Sequence, residues 1–158
     1  MVLANIFLLL AVLCMALSIG GGVYEGLVIN PQWSASPPQS FALIQEGTGI
    51  PLQKFWIPAH IVISIFILAA LYFNWHISHR RTLIIAAIVS YGIMRAWSFA
   101  YFIPEMLSFQ KVPLDSGLTD ELMIRVERWK NLSWWRSPLD LISFMSLVWA
   151  LTYTDFES

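Results

Sequence analysis

Two apolar runs, Ile57–Trp75 (IPAHIVISIFILAALYFNW) and Leu83–Phe102 (LIIAAIVSYGIMRAWSFAYF), are separated only by His76–Arg81 (HISHRR) and Thr82. Each is long enough to cross about 30 Å of hydrocarbon, which takes roughly 20 helical residues. A connection this short permits only a tight antiparallel hairpin, so the two helices must be neighbours. Outward from the hairpin, the apolar runs 2–29 and 132–153 have the same character. The pattern predicts an all-α polytopic membrane protein: one domain, built as an antiparallel four-transmembrane-helix bundle with spans at about 2–29, 57–75, 83–102 and 132–153.

Composition agrees. Of 158 residues, 58% are hydrophobic and 12% charged, against about 25% charged in an ordinary soluble domain. A net charge of -1 gives nothing to recommend nucleic acid as a partner, which needs a clustered basic surface. The single cysteine, Cys14, rules out an intrachain disulfide, a CxxC redox pair and a thiolate zinc cage. The first run has no Lys or Arg at its start and outlasts a signal peptide's apolar region, so it is read as a retained helix.

Aromatic residues check the register, because Trp and Tyr favour the membrane–water boundary. Tyr72, Trp75, Trp149 and Tyr153 mark one boundary; Phe55, Trp56, Tyr101, Trp134 and Trp135 mark the other. The belts predict an even number of spans, with both termini on the side of the His76–Arg81 turn. Orientation stays open. The loop side holds more Lys and Arg, but Arg125, Arg128, Lys130 and Arg136 cluster where they can serve a local helix. That stretch, 119–131, reads as a short amphipathic helix before the fourth span. Thr119 can cap it, Leu122, Val126 and Trp129 share a face, and Glu121 and Arg125 are spaced for an i,i+4 pair. The loop 31–54, rich in Pro and Gly, is expected to be irregular.

Glu25, His60, Arg95, Glu105, Arg136 and Asp140 should not face lipid, since a charge at the bilayer centre costs roughly 2.5 kcal/mol or more. Alternating chain direction brings all six toward one membrane face, with Arg95 deepest. A polar pocket open toward the two long loops is expected, walled by Tyr91, Tyr101 and Trp135 and suited to a flat hydrophobic ligand bearing a few oxygens. Plainer readings stand beside this one. Ser137–Asp140 fits a capping box, or Pro138 kinks a longer helix. Pro58 could begin the second helix and leave His60 in an exposed first turn. Arg95 and Glu25 could form a buried ion pair without chemistry. Gly22 and Gly26 have the small-xxx-small spacing that lets membrane helices approach.

Gly22-Val-Tyr-Glu-Gly-Leu-Val-Ile-Asn-Pro31, Tyr101-Phe-Ile-Pro-Glu-Met106 and Arg128-Trp129 followed by Trp135-Arg-Ser-Pro-Leu139 resemble the anthrone-oxygenase-like family of small four-helix membrane proteins. The resemblance covers most of the chain in order and spacing, through loose motifs. It implies an oxygenase that converts an anthrone methylene into a carbonyl with molecular oxygen and no organic cofactor. That chemistry needs a base for the activated C–H proton and a cation for the resulting enolate-like anion. Under this reading His60 or Glu25 is the base and Arg95, with Arg136, stabilises the anion. Arg136, Asp140, Tyr91, Tyr101, Glu105 and Trp135 bind the hydrophobic aromatic ligand.

Two other classes remain open. One is a non-catalytic protein of the cell membrane that binds a lipid, a quinone or a partner. The other is a metal-dependent oxidoreductase using Glu25, His60, Glu105 and Asp140, although HExxH and ExxH spacings are absent. Transport is disfavoured because no inverted repeat is visible. Oligomeric state, including a homo-oligomer, is undetermined at this level.

Overall fold

A computed structural model describes residues 2–153. These residues form four long helical runs and no strands: α1 (Val2–Trp33), α2 (Gln53–Phe73), α3 (Ser78–Phe109) and α4 (Asp120–Thr152). Three of them, α1, α2 and α3, are long and apolar enough to cross a membrane, the signature of a membrane protein.

α1 and α3 exceed their expected bounds, and α2 is shifted, running Gln53–Phe73 against an expected 57–75. α1 continues to Trp33, and α3 begins at Ser78 and continues to Phe109. The expected amphipathic helix and fourth span are one uninterrupted helix, capped by Thr119 Oγ1 accepting from the Leu122 amide at 3.2 Å. Pro138 lies inside that helix, so Ser137–Asp140 does not start one. Pro58 is likewise interior to α2. The loop 31–54 is less irregular than expected. It holds the end of α1 and a 3₁₀ turn at Gln39–Leu43 that buries Phe41.

Two prolines shape α1 and α3 in the same way. Each helix contains a widened π turn, Glu25–Ile29 in α1 and Ser98–Phe102 in α3, where the Asn30 amide donates to the Glu25 carbonyl and the Ile103 amide to the Ser98 carbonyl. Pro31 and Pro104 follow at the same offset. A proline inside a helix has no N–H to donate and its ring crowds the carbonyl four residues back, so the preceding turn loosens. Both loosened turns carry residues of the candidate site.

Buried apolar residues form two clusters. The first joins Leu8, Ala11 and Met15 of α1, Ile63, Ile67 and Ala70 of α2, Ile84, Ala87, Tyr91 and Met94 of α3, and Leu147 and Ala150 of α4. The second joins Ile29 and Trp33 of α1, Phe41 and Ile44, Phe102 and Phe109 of α3, and Leu122, Val126 and Trp129 of α4; α2 contributes no buried member. Trp33 and Trp129 meet edge to face at 5.3 Å. Their indoles donate to Asn30 Oδ1 and to the Phe102 carbonyl, so both rings bury fully without an unmet donor. The small-residue approach predicted at Gly22 and Gly26 falls mainly on Gly21, where a Cβ would lie 2.8 Å from the Phe55 ring.

Arg80 closes the first cluster at its outer end. Only 5% exposed, it donates from Nε and Nη2 to the Tyr153 carbonyl at 2.9 and 2.6 Å. Its Nη1 donates to Asn5 Oδ1 at 2.6 Å and Asn74 Oδ1 at 3.1 Å. Asn74, fully buried, donates in turn to the Ala4 and Ala70 carbonyls. No carboxylate bonds to this cation among the described residues, but α2 and α4 end beside it and present the negative ends of their dipoles. Arg80→Met leaves the buried Asn74 Oδ1 and two partly exposed acceptors, Asn5 Oδ1 and the Tyr153 carbonyl, without this donor and should destabilise the protein by about 1–3 kcal/mol in thermal unfolding of the detergent-purified chain. Arg80→Lys should recover only part, because an ammonium cannot fork across the same acceptors. Unchanged stability in the Met variant would contradict the clamp.

Candidate functional site

Apart from Arg80, the charged residues of the interior lie in the interval between the two apolar clusters. Glu25 falls between Met15 and Ile29 on α1, Arg95 between Met94 and Phe102 on α3, and Arg136 and Asp140 between Trp129 and Leu147 on α4; His60 precedes Ile63 on α2. They line one cavity of about 1340 Å³ together with Trp56, Ser64, Tyr91, Ser98, Phe102 and Trp134. The loop residues Gly47, Gly49 and Lys54 border its mouth.

On α2, Trp56 and His60 are one turn apart and stack at 5.3 Å with planes 18° apart. The Trp56 indole donates to Glu25 Oε2 at 2.5 Å, linking α2 to the widened turn of α1. His60 links α2 to α3 twice, through Nδ1 to the Tyr91 hydroxyl and through Nε2 to Arg95 Nη1, both at 2.7 Å. A guanidinium can only donate, so Nε2 accepts. Neutral His60 therefore carries its proton on Nδ1 and gives it to the Tyr91 oxygen. Arg95 also lies over the Phe99 ring at 5.0 Å.

On α4, Arg136 Nη1 donates to Ser98 Oγ at 3.1 Å, and the guanidinium lies 3.8 Å from the centre of the Phe102 ring. Its Nε is shut from solvent without a hydrogen-bond partner, and so is Asp140 Oδ1. Glu25, Arg95, Arg136 and Asp140 form no ion pair with one another; the ion pairs among the described residues are Arg125–Glu105 and Lys130–Glu127. The Arg95–Glu25 pair, one of the plainer readings of the sequence, is thus replaced by Arg95–His60 and Glu25–Trp56.

Three predicted ligand-binding residues lie elsewhere. Tyr101 and Glu105 border a separate cavity of about 300 Å³ with Ser108 and Arg125. There Arg125 Nη2 donates to Glu105 Oε2 at 2.5 Å and also to Ser108 Oγ, so α3 rather than Glu121 supplies its partner. That hydrogen bond to Glu105 holds the Arg125 pKa above its ordinary value. Trp135 is 69% exposed on the outer face, while its neighbour Trp134, about 100° round the helix, lines the main cavity. With Glu105 in the other cavity, the suggested donor set is divided, and no group of three His, Cys, Asp or Glu residues able to hold a metal ion occurs among the described residues.

Sequence reasoning did not assign a site role to Trp56 or Ser98. The four-residue spacing of Trp56 and His60 was the available signal for the first. Ser98 shares a face with Tyr91 and Arg95, which was the signal for the second. Comparison with known protein families, curated proteins and solved structures finds no match to this chain.

The bonding pattern can be read by double-mutant cycles on unfolding. His60→Ala with Arg95→Met should show a coupling of about 0.5 kcal/mol or more, whereas Glu25→Gln with Arg95→Met should be additive within about 0.5 kcal/mol. Strong coupling in the second cycle would restore the Arg95–Glu25 pair.

Proposed function

We propose that this chain is a multi-pass protein of the cell membrane, crossing it four times as an antiparallel bundle, whose cavity binds an aromatic small molecule carrying an ionisable hydroxyl. One observation carries the binding reading: two arginines and two carboxylates line a single cavity without pairing to each other. Charges placed in a low-dielectric interior for structure alone should be paired or saturated, as Arg80 is. Arg136 and Asp140 line the cavity, and their partnerless Nε and Oδ1, buried as the chain stands, come within reach of a phenol or enol once both side chains turn toward it, its oxygen accepting from Nε and its proton going to Oδ1. Phe99, Phe102 and Trp134 supply flat apolar surface around it.

The same arrangement suits the oxygenase chemistry implied by the anthrone-oxygenase resemblance. In that reaction the methylene loses two hydrogens and gains one oxygen atom from O₂, and the second oxygen leaves as water. Asp140 is the best-placed base, because its Oδ1 is free while the acceptor nitrogen of His60 is held by Arg95. A ligand anion that draws Arg95 toward itself releases that nitrogen, which makes His60 a second base available only in the occupied site. Arg95 and Arg136 then stabilise the enolate where water is scarce.

Binding of a naphthol, followed by its absorbance, should weaken as pH rises through the naphthol's own pKa, because the naphtholate has no proton to give Asp140. Arg136→Gln should weaken the naphthol about tenfold or more and its methyl ether, which cannot serve both groups, far less. Equal losses for both would mean that Arg136 only shapes the cavity. Oxygen uptake with an anthrone tests the enzyme reading: wild-type consumption that Asp140→Asn lowers by about a hundredfold supports it, and no consumption leaves the binding protein. For the four crossings, cysteines at Ser78 and Thr152, in a Cys14→Ser background, should label from one membrane face and a cysteine at Gly117 from the other.

A further inference from the structure

The cavity does not end at its polar residues. Ile57, Ile61, Ile65 and Leu68 of α2 line it as well, and each is more than half exposed. On the facing helix, Phe99 and Leu107 line it too, and each is at least half exposed. One continuous space therefore runs from Asp140 outward between α2 and α3 to the surface that meets lipid. The gap follows from the packing: α2 rests chiefly on α1 and α3 on α4. Toward the loops, α2 contributes nothing to the second apolar cluster. His60 crosses the gap with its bonds to Tyr91 and Arg95, so a polar bridge stands where packed side chains would otherwise close it.

We infer that the ligand reaches the cavity sideways from the bilayer, and that it is a single-chain amphiphile: an alkylated or prenylated phenol or quinol whose tail lies in the α2–α3 groove while its head sits at Arg136 and Asp140. This rests on the binding reading above and adds the route and the tail. Ile57 and Leu68 are eleven residues apart, or ~16 Å along the helix. That is about half of a ~30 Å hydrocarbon core, the depth one lipid chain occupies. The head chemistry comes from the donor and acceptor left open on Arg136 and Asp140. A tail already in hydrocarbon gains little by transfer to an apolar groove. The groove therefore serves access: a tailed molecule can bring its head to Asp140 only if its tail stays in lipid-like surroundings, which the loop-side mouth at Gly47 and Lys54 does not provide.

The full chain, reconstituted in lipid nanodiscs, is titrated with 4-dodecylphenol and with tailless 4-ethylphenol. Filling the groove with Ile61→Trp and Ile65→Trp should weaken 4-dodecylphenol about tenfold or more and leave 4-ethylphenol within about twofold. Ile93→Trp, on a lipid-exposed part of α3 that does not line the cavity, should change neither and controls for tryptophan insertion itself. If the filled groove weakens both phenols equally, or neither, the lateral route is overturned while the head-binding reading stands. If the wild-type chain binds neither phenol, both readings fall. Should the double variant lose its thermal transition, Ile61→Trp alone, compared for the same two phenols, decides the matter by the same criterion.

Discussion

Hydrocarbon supplies no hydrogen-bond partners, so every polar group taken into this chain's interior must find its partner in the chain or in a ligand. Two arginines show the two solutions. Arg80 has all three nitrogens bonded to neutral acceptors beside two helix ends, and it fixes the start of α1 and α3 to the ends of α2 and α4. Arg136, at the other end of the first apolar cluster, has one hydroxyl and one aromatic face, with its Nε left open. The first is saturated and structural; the second keeps a donor for something else. Two interior arginines thus carry opposite readings, and their bonding separates them.

The widened turns of α1 and α3 connect sequence to site by a local route. Pro31 and Pro104 cannot donate, the turns before them loosen, and Glu25 and Ser98 stand at the first position of those turns. An extra residue in a turn rotates everything beyond it relative to a regular α-helix, which separates the helix face used in the first cluster from the one used in the second. The same chain segment can then pack Met15 inward below the cavity and Trp33 inward above it, with Glu25 between them.

Much of this was legible in the sequence. The hairpin at His76–Arg81, the apolar runs, the Thr119 cap and the shared face of Leu122, Val126 and Trp129 follow from spacing alone. Convergence of Glu25, His60, Arg95, Arg136 and Asp140 followed from counting residues along helices of alternating direction. Partners were not legible, because α2 is apolar nearly all round and its rotation about its own axis leaves no strong trace in the pattern. Glu25 therefore meets Trp56 rather than Arg95. Arg125 had a local partner at Glu121 and took Glu105 from another helix instead. Trp134 and Trp135 were equivalent as belt residues, and a single step along α4 separates the cavity from the exposed outer face. Arg80 stood out only as part of the His76–Arg81 turn, since its acceptors are Asn side chains and a carbonyl scattered over more than 140 positions.

The unequal fastening of α2 bears on how such a cavity works. At its turn end α2 is held by Ile63, Ile67 and Ala70 in the first cluster and by Asn74, which bonds the Ala4 carbonyl. Toward the loops its recorded polar ties are Trp56 to Glu25 and His60 to Tyr91 and Arg95, with Phe55 against Gly21. Each such bond contributes about 1–3 kcal/mol net, and each involves a side chain that lines the cavity. A ligand that competes for Arg95 or Glu25 therefore loosens α2 at that end while the turn end stays packed. Width at the α2–α3 gap and occupancy of the cavity are then linked through the same few side chains, without any separate hinge.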